Sequence, residues 1–188
     1  LLTKGGYMMI PLVILWIIAV YIFIERVLVL KHASKTPENF QNDIREKVQA
    51  GLINEAKLAC SSVDTPVAIM IEKGISRIGA NMSNIEASIE NIGKIEINKL
   101  EKNLSLLATI AGAAPMIGFL GTVTGMIQAF ISIAQEEGAV SPKLLSSGIY
   151  EAMITTSVGL FVGIIAYLGY NYLVTRVQKL VHNMEFTS

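Results

Sequence analysis

Three long stretches nearly free of charge constrain this chain more than any other feature, because each is long enough to cross a lipid bilayer as a helix. Residues 5–24 carry no charge, residues 103–135 form a second such run, and in a third, 144–175, Glu151 is the only charged side chain. About 20 apolar residues span the hydrocarbon core. Inside it every backbone amide must find a partner within the protein, which a continuous helix provides. With 52% hydrophobic and only 16% charged residues, the chain is expected to be an all-α membrane protein with three transmembrane helices and long cytoplasmic helical extensions.

The ends of these runs set the topology. Pro11 falls in the first turns of the first span, where a missing amide proton matters least. Glu25 and Arg26, with Lys31 and Lys35, form its basic exit, and Tyr167, Tyr170, Tyr172 and Arg176 close the third span in the manner of a membrane interface. Residues 31–103 hold ten Lys and Arg, whereas 136–145 hold only Lys143. The long loop is therefore expected in the cytoplasm. The expected organisation is an external N-terminus and first span over 1–30, a cytoplasmic helical region over 31–103, a second span over 104–134 continuous with the preceding helix, an external loop over 135–145 with Glu136 and Glu137, a third span over 146–175, and a cytoplasmic tail over 176–188.

Thr36-Pro37, Thr65-Pro66 and Ser141-Pro142 each put a capping hydroxyl before a proline at a first helical position. Val67, Ile71, Ile75 and Ile78 recur at helical spacing, as do Ile85, Ile89 and Ile92, so the cytoplasmic helices have apolar faces to bury. The bland reading, packing of helical hairpins, is preferred for them. Ten acids balance the ten bases of this region, which suits a solvated surface rather than nucleic acid or anionic lipid. No segment resembles a nucleotide loop. The single cysteine, Cys60, forms no internal disulfide and no zinc site, and isolated His32 and His182 read as solvated edge residues. No metal or cofactor is implied. Leu1 in place of methionine is expected of a chain whose true start was processed or lies outside this numbering.

The second uncharged run is 33 residues, roughly 50 Å of helix against a core about 30 Å thick. With only Gly93 as a breaker after Ile85, one long helix is expected to rise from the cytoplasm through the membrane. Pro115 withholds the amide that the Ala111 carbonyl would accept, so a kink or a local water is expected there.

Small residues predict how the spans pack. Gly121 and Gly125 stand four apart, as do Gly148 with Ala152 and Gly159 with Gly163, a spacing that lets helices approach closely. Polar groups share these helices: Thr122, Thr124, Gln128 and Ser132 on the second, and Ser147, Glu151, Thr155, Thr156 and Ser157 on the third. Ser147, Glu151 and Thr155 lie on one stripe, which continues through apolar Val158 and Val162. That pattern fits a gated path better than an open aqueous pore, and a carboxylate placed there can bind a proton transiently. Against this stands the plain reading that Glu151 marks the outer end of the span. Arg176 is 25 residues away, roughly 37 Å of helix, and Tyr170 roughly 28 Å.

Two signatures carry a family resemblance. AAPMIGFLGTVTGM at 113–126 and GIYEAMITTSVGLFVGIIAYLGYN at 148–171, with Gly5-Gly6 opening the first span and Glu25-Arg26 closing it, resemble the ExbB/TolQ/MotA proton-channel family, nearest the ExbB/TolQ branch. The resemblance covers nearly the whole chain. It assigns Glu151 to the family's intramembrane glutamate, Thr122 to the threonine of the second-span motif, and Thr156 to the threonine five residues after the glutamate. Pro115, Gly118, Gly121, Gly125, Gly159 and Gly163 are the expected packing and kink residues. Thr155 stands where the family often has alanine, Thr124 where tryptophan is frequent, and Gly163 and Ile165 where alanine and proline are usual. Geometry puts Thr155 on the Glu151 stripe and Thr156 about 140° away at 100° per residue. Both line the path if Thr156 faces an adjacent subunit.

The resemblance implies a homopentameric ring in a bacterial inner membrane, with the N-terminus periplasmic and the C-terminus cytoplasmic. It implies a dimer of a single-span partner resembling ExbD or TolR inside the ring, whose aspartate exchanges protons near Glu151, Thr122, Thr155 and Thr156. The partner would then energise a TonB- or TolA-like envelope-spanning protein, for example in TonB-dependent outer-membrane transport. No enzyme activity, no nucleic acid and no cofactor is implied; membrane lipids are the remaining partner. One charge falling through about 100 mV releases roughly 2.3 kcal/mol, so mechanical work needs several protons. The alternatives are a TolQ-like envelope-maintenance subunit, a gliding or motility motor subunit, and a non-conducting helical scaffold.

Overall fold

The computed structural model describes residues 6–35, 37, 39–135 and 142–187, without the side chains of 142–145, 186 and 187. Among them every regular element is an α-helix: α1 (Met9–Ala33), α2 (Phe40–Gln49), α3 (Ile53–Ser61), α4 (Pro66–Ile75), α5 (Met82–Glu101), α6 (Leu104–Gln135) and α7 (Pro142–Thr187). Three stretches are long and apolar enough to cross a membrane, within Met9–Ala33, Met82–Gln135 and Ser146–Glu185, with mean hydropathies of 2.5, 1.8 and 1.8. The expected all-α class with three candidate spans is therefore what the chain forms. Thr36, Ser141, Glu136 and Glu137 lie outside the described residues.

The chain divides into two compact units. One comprises residues 1–24 and 103–172 and holds the apolar portions of α1, α6 and α7. Leu12, Ala19 and Ile22 of α1 are buried at helical spacing, and Leu107, Ile110, Ala114, Gly118, Gly121, Gly125 and Ala129 make the buried stripe of α6. The outward side chains are equally apolar, among them Ile10, Tyr21, Met116, Phe119, Met153 and Leu168, each more than half exposed. Water does not tolerate so large a continuous apolar surface; lipid or protein neighbours do. The helix α6 continues through Pro115, as a span flanked by other helices can.

The other unit comprises residues 25–102 and 173–188. Here α2 packs on α3, α3 on α4 and α4 on α5. Phe40, Ile44, Ala56, Cys60, Ala68 and Ile75 form its core, and Val63 and Ile71 pack against it. Thr65 caps α4 as the sequence predicts: its hydroxyl accepts from the Ala68 amide at 3.4 Å, with Pro66 in the first turn. The face of α5 predicted from Ile85, Ile89 and Ile92 is partly buried and continues through Gly93, Glu96 and Leu100. Ile78, by contrast, lies beyond the end of α4 and is exposed.

The helix expected to run unbroken into the second span is interrupted. Lys102 turns extended (ψ 136°) and Asn103 is left-handed (φ 64°) between the end of α5 and the start of α6. Asparagine is among the few residues other than glycine that visit this conformation at modest cost. A helix end leaves carbonyls without amide partners. One of them is satisfied by Arg26, whose guanidinium donates from Nη1 to the Lys99 carbonyl at 2.9 Å and from Nε to Glu25 at 2.6 Å. Arg26 is only 4% exposed, so the residue read as part of a basic exit is a buried helix-end cap.

Candidate functional site

The site is built on the antiparallel seam of α6 and α7. A Cβ added at Gly118 would meet backbone of Thr155, Thr156 and Gly159 at 3.1–3.2 Å; at Gly125 it would meet Ala152 at 3.2 Å; at Gly148, Ala129 at 2.6 Å. Farther along, a Cβ at Gly159 would lie 2.7 Å from the Ala114 carbonyl oxygen, and one at Gly163 would lie 2.5 Å from the Pro115 ring and 3.1 Å from the Ala111 oxygen. The predicted small residues thus form one continuous register, with backbone against backbone at Gly118 and Gly159 and with Ala152, Ala129 and the Pro115 ring seated on Gly125, Gly148 and Gly163. The Ala111 carbonyl, deprived of an amide by Pro115, faces the bare Cα of Gly163.

This seam fixes the threonines. Thr155 is 1% exposed, its hydroxyl donates to the Glu151 carbonyl at 2.9 Å, and its side chain lies over Gly121, where an added Cβ would come within 2.8 Å of its own Cβ. Thr156 donates across the seam to the Gly118 carbonyl at 2.8 Å. Thr122 donates to the Phe119 carbonyl at 2.6 Å on its own helix. Thr155 and Thr156 therefore both engage α6 of their own chain, one by packing and one by hydrogen bond. Each of the three hydroxyls places its one proton on a backbone carbonyl; those of Thr122 and Thr156, which are only half-buried, keep lone pairs that can accept.

Glu151 is half-buried on α7, one turn from Thr155 and beside Ala152 in the seam. Its carboxylate lies against the Cα of Gly6, just ahead of α1: an added Cβ there would overlap Oε1 and stand 3.0 Å from the carboxyl carbon. Among the described residues no ion pair reaches Glu151. The structure thus brings Glu151, Thr155, Thr156, Gly118 and Gly121 to one stretch of the seam, with Thr122 half-buried next to Gly121. The approach of Gly6 went unread in the sequence, although the Gly5-Gly6 pair was its signal. Among the described residues no group of three or more His, Cys, Asp or Glu side chains is placed to hold a metal ion.

Glu151 is thus the one acid between Lys143 and Arg176, set in the apolar part of α7 with the Gly6 backbone in close contact, and an acid so placed marks a candidate functional site. Comparison with known proteins identifies the family. The putative biopolymer transport protein ExbB homolog of Methanothermobacter thermautotrophicus is 30% identical over 142 residues, 76% of this chain and 50% of that protein. The biopolymer transport protein ExbB of Aquifex aeolicus is 33% identical over 120 residues, 63% of this chain and 76% of its own length. The Tol-Pal system protein TolQ of Haemophilus influenzae is 40% identical over 85 residues, 45% of this chain and 37% of that protein. The chain spans half the length of the first of these relatives and less than two fifths of the last. Residues 62–186, which take in α4, α5, α6, all but the last residue of α7 and the whole seam, match the MotA/TolQ/ExbB proton channel family. This multi-pass membrane protein belongs to that family.

Proposed function

We propose that this chain is the channel-forming subunit of an ExbB- or TolQ-like energy converter, in which Glu151 handles protons for a partner chain. The observation that carries the reading is that the one acid of the third span has no ion-pair partner among the described residues. A carboxylate in such a span is stable when neutral, solvated or paired, and a counter-group on another polypeptide meets that need. The resemblance to ExbB and TolQ supplies its chemistry: a single-span ExbD- or TolR-like protein bearing an aspartate, held as a dimer within a pentamer of this chain. Exposed apolar faces on α1, α6 and α7 are consistent with neighbours in such a ring and with lipid outside it.

In this reading Thr122 and Thr156 act as acceptors, receiving hydrogen bonds from water or from a protonated carboxyl, while buried Thr155 lines the path by packing beside Glu151. The glycine seam keeps α6 and α7 at a fixed separation so that these oxygens hold their spacing. Residues 31–103, with their ten Lys and Arg, and the tail, with Arg176 and Lys179, lie on the cytoplasmic side of a bacterial inner membrane. The energised process is transport or envelope maintenance driven through a TonB- or TolA-like protein. Complementation tests the proposal. In a strain lacking this chain, Glu151→Gln should reach wild-type abundance in the membrane and fail to restore the energised process; full restoration would refute the proton-handling role and favour a helical scaffold.

A further inference from the structure

Three glycines among the described residues have left-handed backbone, and they differ in what surrounds them. A Cβ at Gly51 (φ 75°) or Gly79 (φ 97°) would meet nothing within 4 Å, so those glycines serve chain reversal alone. At Gly6 (φ 62°) the same Cβ would occupy the place of the Glu151 Oε1 and stand 3.7 Å from its Cγ. Gly6 thus combines a turn that disfavours side chains with a close approach to the tip of the Glu151 side chain, so that any side chain added there must displace the carboxylate. The turn is fixed to the first span: the Met9 amide donates to the Gly6 carbonyl and the Ile10 amide to the Tyr7 carbonyl, each at 3.2 Å, leading directly into α1.

From this geometry we infer that the Gly6 turn is a backbone cover over the Glu151 carboxylate, making Gly6 a positioning residue that holds the acid's rotamer and closes one side of it. The inference rests on the proton-handling reading for its purpose, though not for its geometry. Only bare backbone can lie this close to the carboxylate, and its Cα–H makes a weakly polar contact there. With that side closed and the seam with α6 on another, access to Glu151 is confined to the remaining open face. A partner chain is then met on that face and not from the N-terminal side.

The test is the rate at which a hydrophobic carbodiimide modifies Glu151 in the full-length protein in membranes, read by peptide mass spectrometry, with the buried Glu96 as internal reference (6% exposed). Gly6→Ala brings both the overlap and the backbone strain. Gly6→Asn tolerates the left-handed backbone but retains the overlap, so it keeps the test decisive if the alanine variant fails to insert. Both are expected to raise Glu151 labelling roughly threefold or more while Glu96 stays at the wild-type rate, as local opening requires. Tyr7→Ala, whose side chain is exposed, should change neither. Unchanged Glu151 labelling in both Gly6 variants overturns the inference, as does a parallel rise at Glu96, which would mark general loosening. A Glu151→Gln protein that retained full coupling would sink the proton reading and leave this labelling result standing.

Discussion

Substituting Gly159 by alanine probes the seam where no side chain can yield. The new Cβ would sit 2.7 Å from the Ala114 oxygen, 2.8 Å from the Gly118 Cα and 3.1 Å from the Gly118 nitrogen, all of them backbone atoms. Ordinary carbon contacts lie at about 3.5–4.0 Å, so α6 and α7 must part by about 1 Å. The Thr156 to Gly118 hydrogen bond, now 2.8 Å, would then be stretched past the roughly 3.0 Å limit for a hydroxyl donor. Overpacking costs about 1–3 kcal/mol and loss of an interhelical hydrogen bond in a membrane about 0.6 kcal/mol, so the expected total is about 2–4 kcal/mol. Gly112→Ala is the matched control on α6: its Cβ would meet nothing within 4 Å, and the gain in helix propensity is at most about 1 kcal/mol. Unfolding in mixed micelles of rising denaturing-detergent fraction, followed by circular dichroism, measures both. If Gly159→Ala proved as stable as Gly112→Ala, the claim of backbone-to-backbone packing would be wrong.

Other consequences follow from single contacts. Gly163→Ala should destabilise by driving a methyl into the Pro115 ring, and Pro115→Ala should recover part of that loss; a double-mutant cycle with no coupling would refute the contact. Burial first, and the Glu72 carboxylate second, push the Cys60 thiol up to about 11 from its ordinary 9.0. Because the folded value is the higher one, the associated stability is complete below about pH 9 and is lost as pH rises through about 11; alkaline unfolding curves of wild type and Cys60→Ala should diverge in slope only in that window. Arg26→Ala should cost about 2–3 kcal/mol by leaving the Lys99 carbonyl without its charged donor, and amide exchange should quicken in the last turn of α5, whereas unchanged protection there would deny the capping role.

The spans were legible because hydrocarbon imposes one rule on every residue in it: the runs at 5–24, 103–135 and 144–175 could satisfy their backbones only as helices. The seam was legible for a related reason, since small residues four apart mark where backbones can touch. What spacing could not provide was the direction of each hydroxyl. Helical phase separates Thr155 from Thr156 by about 140°, yet both reach α6, because Thr155 packs on Gly121 while Thr156 extends its donor to the Gly118 carbonyl. The break at Lys102–Asn103 was hidden because an asparagine between two helical patterns is weak punctuation, and the donor that meets the last turn of α5 just before it, Arg26, lies 73 residues from Lys99. Burial of Arg26 was equally hidden: beside Glu25 at the end of an apolar run it has the appearance of an ordinary interfacial charge.

Proton flux is the most direct test of the role assigned to Glu151. The chain would be purified with the single-span partner proposed above, reconstituted into vesicles, and subjected to a potential of about 100 mV, which supplies roughly 2.3 kcal/mol per charge, while an internal pH dye is followed. With Glu151→Gln the flux should fall to the level of protein-free vesicles although the complex stays intact. Wild-type flux through the Gln variant would contradict the account at its centre.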